Sequence, residues 1–260
     1  QNLLKTFCIA LIFGKFFRRM QMTKSQISCI ALGFLAAALF LAIPAHAQMT
    51  WDLNADADAT ANPMGAWSYG RSENASDPVP FTLHTNTFNA GPGGDLRIWD
   101  LASGHPNIAY NKGVNVLENH IGPGEHNMHP GTDPNPDYAK IRFTVPATVA
   151  NNQHLQVQGV FDRPNPTGGN DDMHIIHNDG NTATEIFQNL GNVDDVAFDV
   201  TVAVGPGDFI DFAVGNHDGA EGGGASSVNF VITEVIPEPT TLSLLGLGGL
   251  GLLFYGRRRN

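Results

Sequence analysis

The run Asp52-x-Asn54-x-Asp56-x-Asp58 places side-chain oxygens at positions 1, 3, 5 and 7, the spacing that opens a calcium loop. Its sixth position is Ala57, not the glycine of the sharp turn, and its twelfth is Pro63, not a bidentate glutamate. The favoured reading is a solvated acidic stretch and no assigned metal ligand. Ca2+ elsewhere in the domain stays the one cofactor its carboxylates and carbonyls would suit. Nine histidines lie between residues 48 and 236. His174 and His177 are three apart on an expected strand, so they face opposite ways, while His126 and His129 are expected to share a loop and His217-Asp218 another. None has the zinc spacing of two histidines one helical turn apart with a glutamate between. The chain offers no Gly-x-Ser-x-Gly elbow, so no catalytic residue is assigned. The pairs Asp171-Asp172 and Asp194-Asp195 are adjacent, and neighbours on a strand diverge, whereas glycosidase chemistry needs two separated carboxyls across a cleft. The expectation is a protein that is not an enzyme, with a hydrolase the least favoured reading. Trp51, Trp67 and Trp99, with Tyr69, Tyr110 and Tyr138, are of the type that stacks on sugar rings. Trp67, Tyr69 and Trp99 are the candidate sugar contacts, against the alternative that they pack the core.

These residues need elements to hold them, and the composition says which kind. The span 48–236 has 22 Gly, 13 Pro and 21 Asn, a turn-rich mixture that breaks helices and punctuates short strands. Alternation is clear in several places. Ala139, Ile141, Phe143 and Val145 share one face, with Lys140, Arg142 and Thr144 on the other. Leu155, Val157, Gly159 and Phe161 alternate with Gln156 and Gln158, and Val196, Phe198, Val200 and Val202 with Ala197, Asp199 and Thr201. Phe209 to Val214 and Val228 to Val235 read as two further strands, with turns at Asn178-Asp179-Gly180-Asn181 and Gly205-Pro206-Gly207-Asp208 between strands. The pattern predicts an all-β fold, an antiparallel β-sandwich. Six basic and 24 acidic residues give this span a net charge of −18, which excludes a nucleic-acid partner and docking on anionic lipid. The chain's two cysteines, Cys8 and Cys29, precede residue 48, so the span has no disulfide and no thiolate chemistry.

The ends are built differently. Residues 20–47 read as a signal peptide: Lys24, an uncharged run from Ile27 to Ile43, and the small-x-small pattern Ala45-His46-Ala47, which signal peptidase cuts before Gln48. Residues 1–19 begin with Gln1 and read as an over-extended start. At the other end Pro237-Glu238-Pro239 precedes residues 240–256, which carry no charge, and Arg257-Arg258-Arg259 follows. Seventeen residues of helix reach about 25 Å, a little short of a ~30 Å hydrocarbon core, and snorkelling arginines cover the difference. The arginines place that end in the cytoplasm and the acidic span outside. The expected division is therefore 1–19, a signal peptide over 20–47, the sandwich over 48–236 and a membrane-spanning tail over 237–260.

Pro237-Glu238-Pro239, an apolar segment and an arginine cluster, in that order, closely resemble the PEP-CTERM sorting signal of Gram-negative-type bacteria. The resemblance implies an exosortase, an integral-membrane cysteine transpeptidase, that removes the tail and passes the protein to the surface or an exopolysaccharide matrix. A second resemblance rests on residues 62–70 (Asn-Pro-Met-Gly-Ala-Trp-Ser-Tyr-Gly), residues 207–215 (Gly-Asp-Phe-Ile-Asp-Phe-Ala-Val-Gly), His129-Pro130-Gly131 and residues 172–178. These look like an exported β-sandwich domain that recurs ahead of such tails and is similar in outline to jelly-roll carbohydrate-binding modules. Met64 stands where that pattern commonly has Asn, and Phe143 where it often has Trp. The resemblance implies no enzyme activity. The expected protein is exported, anchored in the inner membrane in transit, and then held at the surface or in the matrix by a sandwich without catalysis. The alternative is a carbohydrate-binding module whose partner is the exopolysaccharide.

Overall fold

Alternating apolar residues bury one face of a strand, and two such faces must meet to leave water. The computed structural model meets this demand with two antiparallel sheets. It describes residues 47–236 except 59, 76–80, 102–103, 118–120, 132–136, 163–170, 191–194 and 217–224, and Gln48–Ile236 form one compact unit. Among the described residues no helix is long and apolar enough to cross a membrane. The expected signal and tail helices lie outside those residues.

The strands are β1 (Thr50–Asp52), β2 (Trp67–Ser72), β3 (Thr82–Leu83), β4 (Asn86–Ala90), β5 (Leu96–Asp100), β6 (Asn107–Asn111), β7 (His126–His129), β8 (Tyr138–Thr144), β9 (Gln153–Asp162), β10 (Asp171–Asn178), β11 (Ala183–Leu190), β12 (Val196–Val204), β13 (Phe209–Asn216) and β14 (Ser226–Glu234). The first sheet runs β12-β9-β14-β7-β6-β5-β4, and the second β11-β10-β13-β8-β2-β3. β14 pairs with β9 along one side, while its other side is shared by β7 at the start and β1 near the end. That sharing sets Trp51 opposite Ile232.

The core lies between the sheets. Phe212 of β13 stacks on Phe230 of β14 at 4.0 Å and 13°, joining the two layers. Phe161 meets Phe230 edge-on at 5.1 Å. The inward residues of β8, β9 and β12 fill the space around them. Gly159 interrupts an apolar alternation for a steric reason: a Cβ there would run into the Asn229 carbonyl oxygen and the Phe198 and Phe230 rings.

The outward face of β8 departs from the simple alternation. Lys140 is 0% exposed and Arg142 8%, so this face is covered rather than solvated. Asp211 lies directly across from Arg142 in the β13–β8 register. Its two carboxylate oxygens accept from Arg142 Nε and Nη2, each at 2.7 Å, with Lys140 Nζ 3.8 Å away. The guanidinium is held between the rings of Phe81 and Phe209, 4.2 and 4.3 Å from their centroids. A planar, weakly hydrated cation suits such a slot.

Candidate functional site

The loop from Leu53 to Ala66 is shaped by the acidic spacing singled out in the sequence. Asp52 Oδ1 accepts from the backbone N–H of Asn54 and of Ala55, both at 3.0 Å. Asp56 Oδ2 accepts from the Asp52 N–H at 3.1 Å and from Trp67 Nε1 at 3.2 Å. Asp58 Oδ1 accepts from the Thr60 N–H at 2.8 Å and also from the Thr60 hydroxyl. Those two bonds, the hydroxyl's first, hold the Asp58 carboxyl below its ordinary range. Asn54 points the other way: its Oδ1 accepts from His126 Nδ1 at 2.8 Å. The four side chains thus close turns and reach inward instead of converging, and a cation wanting 6–8 oxygens has no loop here. Among the described residues no group of three or more His, Cys, Asp or Glu is disposed to hold a metal ion.

Since Nδ1 of His126 donates to Asn54, its Nε2 accepts, and the Tyr69 hydroxyl donates to it at 2.6 Å. Burial pulls His126 down to about 3, which keeps it neutral, and burial likewise raises Tyr69 well above its ordinary value. His126 and His129 sit on strand β7 rather than in the expected loop. His126 therefore faces the core while His129 stacks on His105 at 3.9 Å.

The candidate sugar contacts need correcting. Trp67 is 1% exposed, and Tyr69 and Trp99 are each 0%. Trp67 packs on Phe143 at 5.1 Å, and Tyr69 on Trp99 at 4.5 Å. They occupy inward positions of β2 and β5, so the alternation that makes the sandwich leaves none of them as an exposed stacking platform. Trp51 is the part-exposed tryptophan. Its ring leans on Phe143 at 5.2 Å and 60°, and it borders an open groove of about 600 Å³. Asp56, Asp58, Met64, Trp67 and Pro146 form the rest of the wall that matters. Trp51 belonged to the aromatic set in the sequence, yet only the β1–β14 pairing distinguishes it from the buried rings.

A second polar group lies on the outward face of the other sheet. The Tyr138 hydroxyl donates to Asp172 Oδ2 at 2.6 Å, and His174 Nε2 meets the same oxygen at 3.0 Å. His174 Nδ1 bonds Glu185 Oε1. Burial pulls His174 down, but its bonds to Asp172 and Glu185 outweigh that and hold it above the ordinary histidine value. Asp171 and Asp172 diverge as adjacent strand residues must, Asp171 accepting from the Ser226 hydroxyl at 3.0 Å. His177 bonds Asp208 instead of sharing a site with His174. Asp194, His217 and Asp218 lie outside the described residues. So do the processing residues Ala45, Pro237, Glu238, Pro239, Arg257, Arg258 and Arg259, while Ala47 is an exposed residue at their border.

Residues 235–259 match the PEP-CTERM protein-sorting motif. Comparison with curated protein sequences gives no match. Among solved structures the chain is similar to the CBM22-1 xylan-binding domain of Paenibacillus barcinonensis, at 13% identity and a TM-score of 0.34, covering 59% of this chain and 93% of that one. It is also similar to a family 29 carbohydrate-binding module, at 10% identity and a TM-score of 0.29, covering 66% and 97%. A xylanase 10B of Clostridium thermocellum, in complex with xylohexaose, is similar at 7% identity and a TM-score of 0.32. That match covers 47% of this chain and 24% of the xylanase chain. Likeness at these scores carries nothing about a ligand.

Proposed function

We propose that this chain is an exosortase substrate: exported, held by its tail in the inner membrane, cut there, and left at the surface or in the matrix as a sandwich without catalysis. The observation that carries the reading is the sorting motif over residues 235–259. Its parts make physical sense together. As a helix the uncharged segment 240–256 would fall just short of the hydrocarbon thickness, a gap snorkelling arginines can cover, and the three arginines oppose full translocation because a charge in hydrocarbon costs several kcal/mol. The net charge of −18 over residues 48–236 opposes the domain's being held to anionic lipid once released. The test is the triple change Pro237→Ala, Glu238→Ala and Pro239→Ala in a host that carries an exosortase. Full-length, membrane-bound protein should accumulate. Cleavage and release like the parent would overturn the reading and leave a plain membrane anchor.

A second reading, binding of polysaccharide, is favoured by the groove beside Trp51. A part-exposed indole next to two exposed carboxylates offers a flat apolar surface with hydrogen-bond acceptors at its side. A screen of the full chain in detergent against soluble glycans tests it, and binding to none would refute it.

A further inference from the structure

We propose that the groove bordered by Trp51, Asp56 and Asp58 takes an amine-bearing sugar, a hexosamine unit of a polysaccharide with free amino groups. This rests on the polysaccharide-binding reading and gives it a ligand class.

The argument begins with charge. Among the described residues the groove wall contains two carboxylates and no Lys, Arg or His. It belongs to a span with a net charge of −18. A field of one sign concentrates the opposite charge in a cleft and rejects its own, so uronate or sulfated sugars are disfavoured and a cation is drawn in. The carboxylates are already fixed in place. Asp56 is gripped through Oδ2 by the Asp52 N–H and Trp67 Nε1, and Asp58 through Oδ1 by Thr60. Asp56 Oδ1 and Asp58 Oδ2 make no hydrogen bond among the described residues. They keep acceptor capacity for an ammonium or a hydroxyl, and little ordering remains to be done on binding.

The shape and the aromatic ring decide what kind of cation. A bare divalent ion would want 6–8 oxygens, and Asp52 and Asn54 direct theirs to the backbone and to His126. A volume of about 600 Å³ is the scale of organic-ligand sites, roughly 300–1,000 Å³. Trp51 is anchored by its pairing opposite Ile232 and by its contact with Phe143. A tryptophan face attracts both the C–H face of a sugar ring and a nearby ammonium. Hydroxyls, an apolar ring face and one positive charge together describe a hexosamine unit better than a neutral hexose. The groove is open, so a unit within a polymer can lie in it without a free chain end.

Calorimetric titration of the full chain in detergent tests this with four probes of equal length: a glucosamine oligomer, its N-acetylated form, a galacturonate oligomer and a lysine peptide. The glucosamine oligomer should bind about tenfold tighter than the acetylated one, and the difference should shrink as salt rises. Asp58→Asn keeps the acceptor for Thr60 and should remove much of that preference. Trp51→Ala should abolish binding, with Trp51→Phe retaining part of it in case the alanine variant fails to fold. Equal binding of both sugar oligomers with loss on Trp51→Ala would overturn the amine preference and leave polysaccharide binding standing. Sugar binding indifferent to Trp51 and Asp58 would overturn the site. Preference for the lysine peptide would overturn the sugar, and binding of no sugar would sink this proposal together with the reading it rests on.

Discussion

Replacing Asp211 with alanine leaves two cationic side chains, Lys140 and Arg142, buried on the outward face of the second sheet. The size of the effect follows from the geometry. Asp211 is 1% exposed and makes two 2.7 Å bonds to one guanidinium, with Lys140 Nζ at 3.8 Å. A charge buried this deeply is tolerated because it is paired, and removing one partner costs about 3–5 kcal/mol. For a domain of this length each kcal/mol moves Tm by about 2–4 °C, so Asp211→Ala should melt roughly 6–20 °C below the parent. Arg142→Met should lose less, because Lys140 still faces the carboxylate and the apolar chain still fits between Phe81 and Phe209. Circular dichroism of the full chain in detergent, followed at the β-sheet band, reads both. An Asp211→Ala variant melting within about 2 °C of the parent would refute the reasoning, since water would then already reach the pair.

Three further outcomes are expected. Tyr69→Phe removes the donor to His126 Nε2 in a buried setting and should cost about 1–3 kcal/mol in urea unfolding. Gly159→Ala should lower the unfolding free energy from urea titration by a similar amount, about 1–3 kcal/mol, because the added methyl meets the Asn229 carbonyl and the Phe198 ring. Stability should fall as pH drops from about 6.5 to 5. His126 and His84 have folded pKa values depressed by burial to about 3 and about 4, so the unfolded chain takes up protons first, at about 1.4 kcal/mol per pH unit for each. His174 runs the other way, its raised pKa giving stability that is present below about 6.5 and lost as pH rises through the folded value. An unfolding free energy that does not change from pH 6.5 to 5 would contradict the neutral burial of His84 and His126.

The strands that could be read in the sequence are those with one wet face. β9 and β12 alternate cleanly because Gln156, Gln158, Asp199 and Thr201 lie on the outward side, where Asp199 accepts from both glutamines at 2.9 Å. β4, β5 and β6 escaped the pattern. Asn86-Thr87-Phe88-Asn89-Ala90 has polar residues on both faces, and Arg97 sits on the same side as Trp99, bonded to Thr87 at 2.8 Å. Local alternation cannot announce a strand whose inward face is partly polar, because what makes it inward is a partner far along the chain. The same limit governed the site. Three tryptophans were visible as a type, but exposure is a property of pairing: Trp51 is part-exposed because β1 is a three-residue strand beside the end of β14. His126 likewise gave no local sign of its bond to Asn54, 72 residues away.

Charge was legible in sign. Counting residues gives 48–236 six positive charges to set against 24 negative. Lys140 and Arg142 are enclosed with Asp211 and contribute little to the field outside. Arg71 is tied to Asp137 at 2.7 Å, and Arg97 is turned toward Thr87 and Asn89. Of the described cations Lys112 is the one that is exposed, and it too reaches Asn89, at 3.2 Å. Asp100, Asp171, Asp172 and Glu234 are buried as well, so the surface a partner meets is acidic in the sense the composition implies. Net negative charge opposes docking on anionic membranes and anionic polymers alike, so a partner that does bind must either neutralise carboxylates or approach where an apolar surface offsets them. The groove beside Trp51 offers both at one place, which is why its charge preference is the sharpest measurement to make on this domain.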